Sequence, residues 1–318
     1  MPVLVAVLKR TAIFVVSLFV ASVLVFLACS ALPGDVAQVM LGIGADPESV
    51  ARLRTELGLD RSLSTRYVEW VGGLFTGDLG TSYLSGRPIG PDLVPRFGVT
   101  LSLVICSMAL AIVVATVLGM HAALRRRHLD GFLSSAGSQI GLAVPAFWAG
   151  IVLVVVFAVQ LRWFPAGGYV RLAQDPVRWA YHLVLPVISL TIVQSAVLTR
   201  YVRSAFIEVL SEDYLRTARA IGWRQFPALL RHGLRNVAVQ VVTVLGLQLA
   251  TLLVGAIVIE QVFSLQGLGT RLIDAVSQRD LLVVQGIVMV LVLAVLVINF
   301  LVDLAYLAID PRLRTGQR

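Results

Sequence analysis

LVVQGIVMVLVLAVLVINFLV, residues 282–302, contains no charged side chain. A helix needs about 20 consecutive apolar residues to cross the hydrocarbon core of a bilayer, and this segment meets that length. Five further apolar runs precede it, at about 11–31, 99–121, 137–160, 181–199 and 237–259. The sequence therefore predicts an all-α fold, a polytopic transmembrane helix bundle with six spans.

The composition indicates a surface that faces lipid. Apolar residues make up 58% of the chain and charged residues only 14%, whereas a soluble domain has about 45–50% and about 25%. The mean hydropathy is +0.89. A net charge of +8 invites a nucleic-acid interpretation. The basic residues, however, are nearly all arginines in short segments between apolar runs, which is the pattern that orients membrane helices. We therefore expect a lipid membrane as partner and no nucleic acid.

Four basic segments predict the orientation of the bundle. They are Lys9 with Arg10, residues 125–127, residues 200–236, and the three arginines at 312, 314 and 318. The positive-inside rule assigns all four to the cytoplasmic side. Both termini are then cytoplasmic, and the connections 32–98 and 161–180 lie outside.

The long connection 32–98 predicts a small external helical subdomain after the first span, which occupies residues 1–31 with its N-terminal segment. Asp46 has the character of an N-cap, Pro47 suits a first helical position, and Gly58 suits the position past a helix end. A second helix is predicted after Ser64, with Tyr67, Trp70, Val71 and Leu74 on its buried side. Residues 99–318 then form a five-helix core.

No catalytic or metal site is predicted. The sequence contains no G-x-x-x-x-G-K-[ST] loop, and its one lysine is Lys9, so a Walker-type nucleotide site is excluded. The four histidines are isolated from one another, and no G-x-S-x-G elbow occurs. Any chemical energy for this protein must therefore come from another chain.

The cytoplasmic connection 200–236 is the most informative segment. Its part SEDYLRTARAIGWRQFPALLRHGLRN, residues 211–236, is charged and has high helix propensity. Small side chains allow a helix to lie close to a partner, and guanidinium groups can hydrogen-bond the carboxylates of that partner. The alternative is an ordinary basic loop, but positive-inside charge requires neither a compact helix nor small residues. The small residues are Ala218, Ala220 and Gly222, and the arginines beside them are Arg216, Arg219 and Arg224.

This segment resembles the EAA loop of ABC-importer permeases, in the DYLRTARA-x-G form of dipeptide and oligopeptide permeases. The resemblance extends over nearly the whole chain to the B-type subunit of that family. It is carried by LPGD (32–35), LRTELGLD (53–60), GDLGTS (77–82), TLSL (100–103), VIEQVFSLQGLG (258–269), RD (279–280), NFLVDLAY (299–306) and DPRLR (310–314). Two positions depart from the family pattern, because Gln240 and Gln266 stand where proline is usual.

The resemblance implies the type I ABC importer permease fold in a bacterial cytoplasmic (inner) membrane. It also implies a homologous C-type permease partner, two cytoplasmic ATPase subunits or domains, and an extracytoplasmic substrate-binding protein. ATP and Mg would bind to the ATPase subunits, so no cofactor is expected in this chain. The coupling helix that contacts the ATPase would comprise residues 214–222. The expected coupling residues are Glu212, Asp213, Tyr214, Arg216, Ala218, Arg219, Ala220 and Gly222.

Polar residues inside the spans suggest a translocation path. Gln240, Gln248 and Thr251 lie within an arc of about 80° on the fifth span, at about 100° per residue. Such a face points into the bundle, where it can line a path or pack between helices. Glu260, at the outer end of this span, is a candidate gate contact or an interfacial carboxylate. Asp303, near the inner end of the sixth span, favours a structural role over a proton relay.

Three alternatives to a peptide importer remain at this point. The same transporter class carries nickel, haem or glutathione in some members. An ion-coupled secondary transporter usually has internal repeats and charged residues near the midplane, and neither is apparent in the sequence. An intramembrane enzyme would need a nucleophile–base or metal pair at depth, and none is apparent. The favoured function is therefore a non-enzymatic transport subunit that forms the path for dipeptides or oligopeptides with a homologous partner.

Overall fold

The computed structural model describes residues 2–31, 36–42, 44–126 and 128–309. The motifs at 32–35 and 310–314 and the arginines at 127, 312, 314 and 318 lie outside the described residues. The described part is largely α-helical, as predicted. Its helices are α1 (Pro2–Ala31), α2 (Val36–Leu41), α3 (Pro47–Glu56), α4 (Leu63–Thr76), α5 (Ile89–Leu124), α6 (Leu129–Ala143), α7 (Ala146–Leu153), α8 (Pro176–Ser211), α9 (Asp213–Ala220), α10 (Gln225–Ala228), α11 (Leu234–Val262), α12 (Leu268–Ser277) and α13 (Leu281–Ile309).

Five helices within the described residues are long and apolar enough to cross a membrane. They correspond to five of the six predicted spans and comprise Val7–Ala31, Ile89–Leu124, Pro176–Ser211, Asn236–Val262 and Leu281–Leu304. The predicted third span, 137–160, is not one continuous helix. It consists of the end of α6 and the shorter apolar helix Ala146–Gln160, whose last part, Val154–Gln160, is π-helical.

Pro145 accounts for the break in the third span. Proline disfavours the helical conformation in the residue before it and supplies no backbone N–H. Val144 accordingly has φ −86° and ψ 118°, and α7 begins directly after Pro145. Pro186, by contrast, lies inside α8 without ending it. The two prolines thus differ: Pro145 separates two helices, whereas Pro186 is accommodated within one.

The chain divides into two compact units. The first unit comprises the described residues of Met1–Thr11, Leu101–Leu265 and Val297–Arg318. Helix α8 is its most buried span, since 67% of the most apolar 18-residue stretch of this helix is buried. It packs against α6, α7 and α11. Glycine permits close packing on this helix: a Cβ at Gly119 would lie only 2.8 Å from Cγ1 of Val202.

The second unit comprises the described residues of Ala12–Thr100 and Gln266–Leu296. An aromatic group lies in its core, where the ring of Phe26 is 5.3 Å from Tyr67 and 6.0 Å from Trp70. The Tyr67 hydroxyl is 2.9 Å from that of Ser22 on α1. Ile89, Leu93, Leu268 and Ile287 complete this core. The burial predicted for one side of α4 is confirmed, since Val71 and Leu74 also pack against it.

The capping signals predicted for α3 and α4 are confirmed. The Asp46 side chain accepts a hydrogen bond from the N–H of Ser49, with Pro47 as the first residue of α3. Gly58, past the end of α3, has φ +66°. Helix α4 begins slightly earlier than predicted, because Ser62 is its N-cap and accepts from the N–H of Thr65. These are local interactions, which explains why the sequence alone indicated them.

Candidate functional site

Helix α9 contains most of the predicted coupling residues. It follows α8 after a break at Glu212, and Glu212 and Asp213 stand at its N-terminus, where the helix dipole favours carboxylates. Arg216 donates to the Asp213 carboxylate at 3.4 Å, and both side chains are exposed. Tyr214 accepts a hydrogen bond from Nδ2 of Asn236 on α11 at 2.9 Å. This hydrogen bond fixes one side of α9 to α11 within the first unit.

One face of α9 is buried within this chain. Leu215 is 3% exposed and Ala218 is 6% exposed, whereas Arg219 and Ala220 are exposed. The small side chain of Ala218 therefore lets α9 lie close to its own chain. The exposed face of α9 comprises instead Arg216, Arg219 and Ala220.

Gly222 terminates α9 by a specific turn. Its N–H donates to the Arg219 carbonyl at 3.0 Å, and the N–H of Trp223 donates to the Ala218 carbonyl at 3.1 Å. This pair of bonds is the Schellman motif, whose residue past the helix end is left-handed. Gly222 has φ +98°, and a Cβ added there would have no atom within 4 Å. The requirement for glycine at this position is therefore set by the backbone conformation.

Three large apolar side chains lie in or after this turn and are exposed. Ile221 is 73% exposed, Phe226 48% and Trp223 36%. The guanidinium of Arg231 lies 5.5 Å from the centre of the Trp223 ring. We call Arg219, Ala220, Ile221 and Phe226 the α9–α10 surface. The sequence prediction rested on small residues and arginines and did not include Ile221 and Phe226. Two apolar residues in so charged a segment were nevertheless a usable signal of an apolar contact.

The predicted path residues on α11 are in different environments. Gln240 donates from Nε2 to the Glu208 carboxylate on α8 at 2.9 Å. Gln248 and Thr251 lie together, because the Thr251 hydroxyl donates to the Gln248 backbone carbonyl at 2.9 Å. Glu260 is fully buried, so it is not an exposed interfacial carboxylate in this structure. The role of these four residues in a path stays a prediction.

A residue that the sequence reasoning did not select completes the Gln248 site. Gln194 on α8 is 5% exposed, and its Nε2 donates to Oε1 of Gln248 at 2.8 Å. Amide pairs of this kind join helices in membranes. An isolated glutamine in a long apolar helix carried no signal about its partner, since only the packing of α8 against α11 brings the two together.

Comparison with known proteins shows the family of this chain. Residues 115–315 match the family described as the inner membrane component of binding-protein-dependent transport systems. Residues 3–104 match the N-terminal membrane component of the same systems. The chain belongs to this family. It is an ABC importer permease, with the all-α membrane fold expected of one.

Similar permeases cover the whole length of the chain. A Brucella abortus (strain 2308) protein, inferred to be a peptide transport system permease, is 41% identical over 310 residues. That match covers 97% of this chain and 98% of the relative. The glutathione transport system permease protein of Escherichia coli (strain K12) is 40% identical over 308 residues, again with 97% and 98% coverage. Both similarities include the segment that contains α9 and α10.

Proposed function

We propose that this permease forms, with a homologous C-type partner, the path for peptide uptake in an ABC importer of the bacterial inner membrane. A substrate-binding protein on the outer side delivers the peptide, and two ATPase subunits on the inner side bind ATP and Mg. Both termini of the chain are cytoplasmic. The relatives support peptides as the substrate class: one is named for peptides, and the other for glutathione, which is itself a tripeptide.

The α9–α10 surface is the observation that carries this proposal. It combines the exposed guanidinium group of Arg219 with Ile221 and Phe226, which are apolar and largely accessible. Exposed apolar side chains rimmed by polar ones are characteristic of protein interaction sites. The segment lies in the connection that positive-inside charge assigns to the cytoplasm. A cytoplasmic ATPase subunit fits both the position and the chemistry.

The structure also suggests how force would pass from the ATPase to the bundle. Helix α9 is attached to α11 by the hydrogen bond between Tyr214 and Asn236. Leu215 and Ala218 lie on its buried face, against the rest of the first unit. A movement of the α9–α10 surface would therefore be transmitted to α11, and α11 pairs with α8 through Gln240 and Glu208. In this account the chain transmits energy and hydrolyses no ATP itself.

Replacement of Ile221 by Asp tests the proposal. Ile221 precedes the left-handed residue, so this change leaves the φ of Gly222 untouched. It places a charge in the apolar contact, and we expect about ten-fold or greater loss of ATPase association. Arg219→Ala removes charge-assisted hydrogen bonds and should weaken association less. The measurement is co-purification of the ATPase subunit, together with substrate-stimulated ATP hydrolysis.

Val68→Asp is the matched control for Ile221→Asp. Val68 is a β-branched residue that is 67% exposed on α4, in the segment predicted to lie outside. It should leave ATPase association unchanged. Wild-type association of Ile221→Asp would contradict the docking role, and would leave residues 211–236 as a basic inside loop.

A further inference from the structure

A second polar site lies entirely within the second unit. It is a cavity of about 510 Å³ between the loop before α5, the start of α5, and helices α12 and α13. The charge pattern predicts that this part of the chain faces outside. Pockets that bind small ligands typically measure about 300–1,000 Å³. The lining residues that matter are Arg87, Asp92, Arg96, Arg271 and Asp274.

Asp92 holds two guanidinium groups in fixed positions at this cavity. Its Oδ1 accepts from Nε of Arg96 at 2.9 Å, and its Oδ2 accepts from Nε of Arg271 at 2.9 Å. The two arginine side chains are only 22% and 17% exposed. Because one carboxylate holds both groups, their orientation is set before any ligand arrives. This reduces the ordering cost of binding.

The two arginines have donors left over. A guanidinium has five N–H groups, and the contacts with Asp92 use the single one on Nε. Among the described residues, no hydrogen bond to the terminal nitrogens of either side chain is present. Arg87 adds a third guanidinium to the lining. The terminal nitrogens of arginine bind carboxylates in a bidentate manner, so the cavity offers a preorganised carboxylate site.

The remaining charges define the other end of the ligand. Asp274 lines the same cavity and is exposed, with no ion pair among the described residues. The hydroxyl of Ser82, also in the lining, is occupied because it donates to the buried carboxylate of Asp280. The lining therefore contains three arginines and two aspartates, Asp92 and Asp274. The charge of Asp92 is already neutralised by its pairs with Arg96 and Arg271. A molecule with a carboxylate at one end and an ammonium at the other matches this arrangement.

We propose that this cavity binds a short peptide, with its terminal carboxylate on Arg96 and Arg271 and its ammonium on the side of Asp274. The choice of a peptide among zwitterions rests on the proposed function. The lining includes none of the predicted path residues of α11, and the site would receive a peptide on the outer side. The cavity volume favours a short peptide over a single acidic side chain of a docked protein, which would leave most of the space empty.

Binding of tri-alanine to the full chain in neutral-lipid nanodiscs tests the site. Titration calorimetry should detect binding of the free acid and at least about ten-fold weaker binding of its carboxyl-terminal amide. Arg271→Lys and Arg96→Lys keep the charge and the possibility of pairing with Asp92, but they lose the planar fork of donors. Each should weaken tri-alanine binding about ten-fold. Arg52→Lys is the control, since Arg52 is exposed on α3 and outside the cavity lining.

Three results would overturn the proposal. Equal binding of acid and amide, or equal binding by wild type and both cavity variants, would mean that the guanidinium groups hold no carboxylate. Binding of inorganic phosphate without tri-alanine would assign the site to a phosphate ligand. If the two cavity variants lose association with the substrate-binding protein but bind tri-alanine as the wild type does, the cavity is a docking site for that protein. If Ile221→Asp still releases the ATPase in each case, the proposed function stands and this inference alone fails.

Discussion

Nε2 of Gln194 donates a hydrogen bond to Oε1 of Gln248 at 2.8 Å and lies 3.3 Å from the Gln248 backbone carbonyl. The Thr251 hydroxyl lies 3.2 Å from the same Oε1. The side-chain carbonyl of Gln248 thus has a donor from Gln194 on α8 and one from Thr251 on its own helix. These contacts occupy the acceptor that a passing substrate would need, which favours the packing role of this polar face over the path role.

The first prediction separates these two roles. Gln248→Leu removes the side-chain acceptor of the buried Gln194 amide, at 2.8 Å, and leaves only the more distant backbone carbonyl, at 3.3 Å. The change should lower the free energy of unfolding by about 1–3 kcal/mol. The double variant Gln194→Leu, Gln248→Leu should recover most of this loss, with a coupling of about 0.6–2 kcal/mol. Thermal unfolding of the purified protein in detergent measures both.

The control for this cycle is Gln261→Leu. Gln261 is exposed at the end of α11, so the same chemical change removes no buried contact there. A double variant that is as stable as wild type but fails in peptide uptake would contradict the packing role. It would assign the two glutamines to the path.

The sequence predictions are most accurate where the interactions join residues that are close together in the chain. Asp46, Pro47 and Gly58 mark α3 through contacts of at most a few residues, so their pattern was sufficient. Arginine positions indicate which segments share a side of the membrane, and that orientation stays a prediction. Local chemistry and solvent preference are both visible in a sequence.

Features that depend on packing were not predictable. Ala218 is small and was expected to meet a partner, yet it faces its own chain. Leu215 and Ala218 share the apolar face of α9, but the sequence alone does not tell whether that face packs against its own chain or against a partner. The pairing of Gln194 with Gln248 joins residues 54 positions apart, and it exists only because α8 packs on α11. Residues 137–160 were predicted as one span, and the break at Pro145 was missed, since the sequence does not tell whether neighbouring helices compensate for a proline.

The second prediction concerns the turn after α9. Gly222→Ala should destabilise this turn by about 1–2 kcal/mol, because a side chain disfavours φ +98° even though no atom blocks it. Hydrogen exchange of residues 213–228 should accelerate, while the spans keep their protection. Gly222→Asn should have a smaller effect, since asparagine tolerates this conformation.

Gly137→Ala provides the comparison for the turn. Gly137 lies inside α6, and a Cβ there would also have no atom within 4 Å. In a helix the change should be neutral or stabilising by about 0.5–1 kcal/mol. Unchanged exchange in Gly222→Ala would contradict the importance of the left-handed turn. It would also make substitutions of Gly222 clean probes of ATPase docking.

The third prediction tests the topology by labelling of single cysteines. In a background without Cys29 and Cys106, Ser64→Cys on α4 should react with an impermeant thiol reagent added to spheroplasts. Gln225→Cys on α10 should react only after permeabilisation. Both positions are exposed. They avoid Ser62, whose hydroxyl caps α4, and Ser211, whose hydroxyl donates to the Glu208 carbonyl. Equal labelling from outside would reject the positive-inside orientation.

The last prediction concerns Asp303, whose Oδ1 lies 2.7 Å from NH1 of Arg10. The pair joins α1 to α13 within the first unit. Its carboxylate side chain is 56% exposed, so solvent screens the interaction and its contribution to stability is about 0–1 kcal/mol. Asp303→Asn should therefore leave peptide uptake unchanged between about pH 6 and 8. A proton relay requires a group that titrates, and in that case the same change would abolish uptake. Arg10→Asp should weaken the α1–α13 contact, and adding Asp303→Arg should restore it, because a structural ion pair tolerates exchange of its charges. Recovery of the unfolding temperature without recovery of uptake in this double variant would be evidence that Asp303 acts in transport.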